Sequence, residues 1–194
     1  MAPMAATSSP THHLAVFNIG RLVAPLDSSQ LQAFMDGLDP INALAEQAPG
    51  FVWRYTAEGT NNATAARPMA SDIIVNFGVW DSREHLWDFV YRTQHLDFLR
   101  RRREWFQHML EPFLVLWWIP AGHIPSIEEA LGKLDQLRRA GPSPEAFTFR
   151  EPFDSSGGSA IDAVVPEAEA ARLREVGQPV RRGAGADAVE HFAS

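Results

Sequence analysis

The sequence predicts an α+β fold of the ferredoxin-like split β-α-β kind. A four-stranded antiparallel sheet carries helices on one face, and two copies close into a dimeric α/β barrel. Three observations predict it. The elements alternate as strand, helix, strand, strand, helix, strand. Each strand is short and each helix amphipathic. One set of strand positions, Phe17, Trp53, Phe77 and Trp117, is too apolar to stay in water, because burying each such side chain is worth roughly 1.5–3 kcal/mol.

The first strand is His13–Leu22, with Ala15, Phe17 and Ile19 on one face and Leu14, Val16 and Asn18 on the other. Asp27 or Ser28 caps a helix that runs to Ala48, its apolar residues Leu31, Phe34, Leu38, Ile41 and Leu44 at three-to-four spacing. Gly37 and Pro40 inside it predict a kink or a division in two. Pro49-Gly50 ends it. Phe51–Ala57 is the second strand, with Phe51, Trp53 and Tyr55 pointing one way and Val52 and Arg54 the other. A polar loop leads to the third strand, Asp72–Trp80. Asp81 or Ser82 then caps a long helix reaching Leu110, with a candidate break at Thr93-Gln94. Pro112–Ile119 is the fourth strand, apolar on both faces. Ser126–Ala140 is a third helix with acids at its start and arginines at its end, as the helix dipole favours, and Gly141-Pro142 stops it. Ala146–Phe149 is a short closing strand.

The composition sets bounds. The chain has 194 residues and a net charge of −7. It has no cysteine, which excludes disulfides, thiolate metal sites and a cysteine nucleophile. Acidity disfavours nucleic acid and anionic membranes as partners. No apolar run approaches the roughly 18 residues of a membrane helix, and the N-terminus does not resemble a secretory signal, so a cytoplasmic location is expected. Residues 1–12 read as a disordered lead, 13–150 as the folded domain and 151–194 as a largely disordered tail. Lys133 is the only lysine among 17 basic residues, which reflects either codon bias or a use for planar guanidinium forks.

The segments HLAVFNIGRL, INALAEQAPGFVWR, RRRREWF and LVLWWIPAGH resemble the family catalogued as domain of unknown function 3291 over residues 13–149. That family is similar to the dimeric α/β-barrel superfamily, which includes antibiotic-biosynthesis-type and haem-degrading monooxygenases, isomerases and dehydratases. The resemblance implies the split β-α-β fold and leaves the reaction open, since one fold hosts many chemistries. Haem-degrading members carry a Trp and a ligand His on the helix after the third strand. Phe89 and Leu99 stand there in this chain, which argues against that chemistry. Antibiotic-biosynthesis-type members often have a His after the break in this helix, where His95 falls, and an Asn on the first strand, where Asn18 falls.

Asn18, Arg54 and Asn76 are polar residues in apolar strands. They either pair with each other or with helix carboxylates such as Glu46, or they orient a ligand oxygen. Trp87, Tyr91 and His95 stand at i, i+4 and i+8 and share a stripe if the helix is continuous. An imidazole suits proton transfer and a phenol can relay it. Among the arginines 100–103, Arg102 or Arg103 is a candidate to close a pocket over a carboxylate or enolate. Trp80 is a candidate pocket wall, and Trp117 and Trp118 point to opposite faces, one toward a pocket.

These features predict a small cofactor-independent enzyme, monooxygenase-like or isomerase-like, acting on a planar or hydrophobic metabolite. His95 with Tyr91 would serve as base, with Asn18 and Arg54 stabilising an enolate. Asn76, Trp80, Trp87, Arg102 and Trp118 would contact the substrate. No cofactor or metal is expected, since no metal or nucleotide motif is present. The expected partners are a homodimer mate across the sheet face and a small-molecule ligand. The alternatives are a non-catalytic ligand-binding dimer and a haem-binding protein using His95.

Overall fold

The computed structural model describes residues 11–160. Their elements run β1 (His12–Arg21), α1 (Gln32–Glu46), β2 (Phe51–Arg54), β3 (Ile73–Trp80), α2 (Arg83–Arg92), α3 (His95–Arg101), a 3-10 turn at Arg102–Glu104, β4 (Leu114–Pro120) and α4 (Ile127–Ala140). The strands form one four-stranded sheet in the order β2-β3-β1-β4, antiparallel at every junction. The fold is therefore α+β around an open antiparallel sheet. Among the described residues, no helix is long and apolar enough to cross a membrane.

β1 lies inside the sheet, paired with β3 from Leu14↔Trp80 to Arg21↔Ile73 and with β4 from His12↔Pro120 to Asn18↔Leu114. Its alternation serves two cores. Ala15, Phe17 and Ile19 pack with Val75, Phe77, Val115 and Trp117 beneath Ala130, Leu134 and Leu137 of α4. Leu14 packs with Trp80 and Leu116 against Ala45 of α1 and Leu86 and Phe89 of α2. Helices thus cover both faces, not one. Phe17 is 0% exposed, Phe77 1% and Trp117 1% within a single chain, and the Trp117 indole donates to Glu129 Oε1 at 2.9 Å. The apolar face from which a homodimer was expected is covered by the chain's own α4, so burial of that face does not call for a partner.

Several expected boundaries shift for local reasons. α1 starts at Gln32, and neither Asp27 nor Ser28 caps it. Residues 25–31 are used in turns, with Ser28 N–H donating to Pro25 O and Leu31 N–H to Ser28 O. Pro40 stays inside an unbroken α1 on its exposed side, where the carbonyl that loses its N–H partner can turn to water. In β2 the register slips between Phe51 and Trp53. That irregularity overturns the simple alternation: Phe51 meets Trp80 on the α1–α2 face, while Trp53 joins the core under α4.

Ser82 caps α2 by accepting from His85 N–H, and Ser126 caps α4 by accepting from Glu129 N–H. The expected break occurs at Thr93, whose hydroxyl donates to Phe89 O at 2.6 Å and accepts from His95 N–H at 3.2 Å. The helical run stops near Glu104 rather than at Leu110. Buried Trp105 anchors the chain beside Leu22 and Phe34, and the backbone then pairs with the end of β1 through Val23 N–H to Trp105 O and Gln107 N–H to Arg21 O. The closing strand is reduced to one bridge, Leu116↔Phe147, made by two hydrogen bonds of 2.8 Å. Residues 151–160, expected in the tail, pack on the domain: Phe153 joins the α1–α2 core and its carbonyl accepts from the Trp118 indole at 2.8 Å. The rest of the expected lead and tail, 1–10 and 161–194, lies outside the described residues.

Candidate functional site

The residues singled out from the sequence gather on the α1–α2 face of the sheet, but they divide by what holds them. Asn18 on β1 stands directly opposite Asn76 on β3. One rung along, Arg54 on β2 stands opposite Gly78, which stands opposite Val16. Asn18 is half-buried. Asn76 is exposed, although Ile73–Val75 and Phe77–Trp80 around it are all buried. Neither amide has a hydrogen bond to another described residue.

Arg54 is different. Its Nε donates to Glu46 Oε1 at 2.7 Å, its NH1 to Asn61 O at 2.8 Å and its NH2 to Asn61 Oδ1 at 2.9 Å. Every nitrogen of the guanidinium is occupied, so this residue ties the end of α1 and the loop after β2 to the sheet.

The stripe of Trp87, Tyr91 and His95 does not survive the break at Thr93. Trp87 and Tyr91 remain together on α2, with ring centroids 4.2 Å apart, and Phe149 meets them at 5.5 Å and 6.0 Å. The Trp87 Nε1–H is buried without a partner. Tyr91 is 2% exposed, and burial pushes its phenol well above the ordinary tyrosine range despite the opposing charge of Arg102. His95 turns elsewhere. Its ring lies 4.9 Å from that of Phe89, and its Nδ1 faces Val90 O at 3.2 Å. That contact assigns the proton to Nδ1 and leaves Nε2 as the acceptor. Burial holds the imidazole below its ordinary pKa, with the Val90 carbonyl opposing, so the ring stays neutral at physiological pH.

Trp80 is a core residue, stacked on Phe89 at 5.1 Å and edge-on to Phe51 at 5.6 Å. Trp118 is half-buried and held by Phe153 O. The four arginines separate as helical geometry requires. Arg100 and Arg101 pair with Asp97 and Glu104, and Arg101 also covers the Trp105 ring. Arg103 is exposed, whereas Arg102 is half-buried, close enough to Tyr91 for each to act on the other's ionisation.

Sequence reasoning missed three groups. Phe149 completes the aromatic cluster with Trp87 and Tyr91, although it was read only as strand. Asn61 completes the hold on Arg54 beside Glu46, the carboxylate the sequence had offered as a partner, and nothing in the polar loop after β2 marks Asn61 for that role. Asp81 and His85 form a pair at 2.6 Å, which their i, i+4 spacing could have signalled. Burial would raise the Asp81 carboxyl, but hydrogen bonds from His85 and Ser82 and the charges of His85 and His13 hold it below its ordinary value. Among the described residues, no three His, Asp or Glu side chains are grouped to hold a metal. A surface pocket of about 480 Å³ lies at the end of β1, lined by residues 22–26 with Arg67, Ser71, Asp72 and Gln107, and contains none of the expected site residues.

The arrangement offers amide donors and acceptors on the sheet, an aromatic cluster on α2 and a cation beside it. Comparison with curated proteins finds no match. A family described as Domain of unknown function (DUF3291) matches residues 13–163, most of the length of the chain, and the protein belongs to that family.

Proposed function

We propose that this protein binds a small planar metabolite against the α1–α2 face of its sheet, over Asn18 and Asn76. The observation that carries the reading is Asn76, an exposed amide on a strand whose other residues are all buried. An exposed position in the middle of an otherwise buried strand marks a gap in the cover over the sheet, where a ligand can reach the amide. Asn18 opposite it supplies a second free amide, and together they can hold the oxygen or nitrogen edge of a flat ring system. The strand order β2-β3-β1-β4, with one crossover through α1 and one through α2 and α3, supports the finer reading of a split β-α-β fold.

A catalytic reading has one observation in its favour. The contact of His95 Nδ1 with Val90 O fixes the tautomer and presents a neutral Nε2, the form a general base requires. Arg54, bound on every nitrogen, is withdrawn from it, and proton transfer would then rest on His95 alone.

The test is calorimetric titration with 2-naphthamide, a neutral planar probe with one amide. Wild-type protein is expected to bind it at about 100 μM, equivalent to roughly −5.5 kcal/mol. Asn76→Leu and Asn18→Leu should each weaken it tenfold with unchanged melting temperature. Absence of binding, or binding that both variants leave intact, overturns the proposal.

A further inference from the structure

A second candidate site lies away from the amides, in the surface pocket at the end of β1. Three parts of the chain build it: residues 22–26, the stretch from Arg67 to Asp72, and Gln107. Hydrogen bonds tie them together. Leu22 N–H donates to Asp72 O at 2.8 Å, Val23 N–H to Trp105 O at 3.0 Å and Gln107 N–H to Arg21 O at 2.8 Å, while the Gln107 side-chain amide donates to Leu22 O at 2.8 Å. The walls are therefore set before a ligand arrives, which lowers the ordering cost of binding. The volume of about 480 Å³ lies within the range of small-molecule sites. Leu22, Ala24 and Leu26 belong to the core around Ile74 and Trp105, so the floor is apolar and firmly backed. Val23 on the wall is 36% exposed, and Met69, between Arg67 and Ser71, is 43% exposed. Exposed apolar side chains gathered at a hollow mark a surface that a ligand can take out of water.

The charge of the walls selects the ligand. Asp72 is the sole acid among the lining residues, and Arg21 already holds it at 2.6 Å. Arg67 is half-buried and is held by backbone alone: its Nε donates to Ser71 O at 3.0 Å, and its NH1 to Thr64 O and, at 2.9 Å, to Ala66 O. Those bonds fix the guanidinium against the loop and leave the two N–H groups of NH2 free. The Ser71 hydroxyl on the same wall is exposed and, among the described residues, unbonded. With Asp72 neutralised by Arg21, the lining carries one positive charge, and a carboxylate accepts a charge-assisted hydrogen bond from such a group. No lining residue is aromatic, so a flat ring has nothing to stack on, whereas a flexible chain can lie along the aliphatic floor. We infer that this pocket binds an aliphatic carboxylate, its tail on Leu22, Pro25 and Leu26 and its anionic end on Arg67 NH2 and the Ser71 hydroxyl. This site is separate from the one proposed over Asn18 and Asn76 and does not depend on it.

The experiment titrates the full-length protein calorimetrically with octanoate, octanamide and octylammonium, three probes of one chain length and different charge. Wild-type protein should bind octanoate at least tenfold more tightly than either of the others. Ser71→Asp, at an exposed position, places a second carboxylate on the wall beside Arg67; it should weaken octanoate at least tenfold and leave octanamide within twofold. Arg67→Gln should bring octanoate and octanamide to equal affinity, with a lowered melting temperature because three carbonyls lose their donor; if that variant does not fold, Ser71→Asp decides. Absence of octanoate binding to wild type, equal affinity for octanoate and octanamide, or a preference for octanoate that survives Ser71→Asp overturns the inference. A preference for octylammonium overturns it too, since Asp72 would then set the charge of the pocket. None of these results bears on the amide face, which 2-naphthamide reads.

Discussion

Replacing Arg54 by Ala is expected to damage the fold and not the chemistry, and the size of the damage follows from its bonds. The side chain is 12% exposed and makes three hydrogen bonds, one to Glu46 and two to Asn61. A hydrogen bond from a charged donor contributes about 1.5–3 kcal/mol when its acceptor is well shielded. Glu46 is 48% exposed, so solvent screens its share to about 1 kcal/mol or less. Asn61 is exposed as well, so its two bonds are discounted in the same way, and the total is about 2 kcal/mol. A domain of this size loses about 2–4 °C of melting temperature per kcal/mol, so Arg54→Ala should melt about 6 °C below wild type. Scanning calorimetry at neutral pH measures this, with Glu46→Gln and the double variant completing a cycle whose coupling energy should be about 1 kcal/mol. Binding of 2-naphthamide to the folded variant should stay within twofold of wild type. A melting temperature within 2 °C of wild type, or binding lost with stability intact, would refute the reasoning and return Arg54 to the ligand site.

Three further outcomes test other parts of the structure. Leu134→Asp puts a carboxylate where α4 meets Phe17 and Trp117, and should cost more than about 3 kcal/mol and raise binding of an apolar dye; near-wild-type melting would show that α4 does not cover that face. Trp117→Phe removes the hydrogen bond to Glu129 and part of a buried ring, and should cost about 2 kcal/mol in denaturant unfolding. The depressed pKa of His95 means that the unfolded chain binds its proton first. Its contribution to stability is therefore full above the unfolded value of about 6.5 and is lost as pH falls toward the folded value, so the melting temperature should drop as pH is lowered through and below about 6.5. His95→Gln should remove that slope, and an unchanged slope would show that another group produces it.

Much of the fold was legible because it is local. The alternation of β1, the serine caps at Ser82 and Ser126, the stop at Gly141 and the break at Thr93 all depend on residues within a few positions of one another. The four strands could be placed from period and composition alone. The candidate site was legible only as a set of residue types. Asn18, Asn76, Trp87, Tyr91 and Arg102 were recognisable as polar or aromatic residues with work to do, but their partners were not. Arg54 was equally conspicuous, and its guanidinium is filled by Glu46 and Asn61 from two other segments.

The chain alone determined its element order, its two amphipathic strand faces and the anomaly of amides set in apolar strands, because backbone propensity and side-chain period act over short distances. Tertiary structure decided what lies on each face. α4 returns to cover Phe17 and Trp117, a register slip in β2 turns Phe51 and Trp53 apart, and pairing of residues 105–107 with the end of β1 stops the helical run at Glu104. Each is a contact between segments far apart in the chain, and a one-residue change in register exchanges the faces of a strand. No local pattern carries that information.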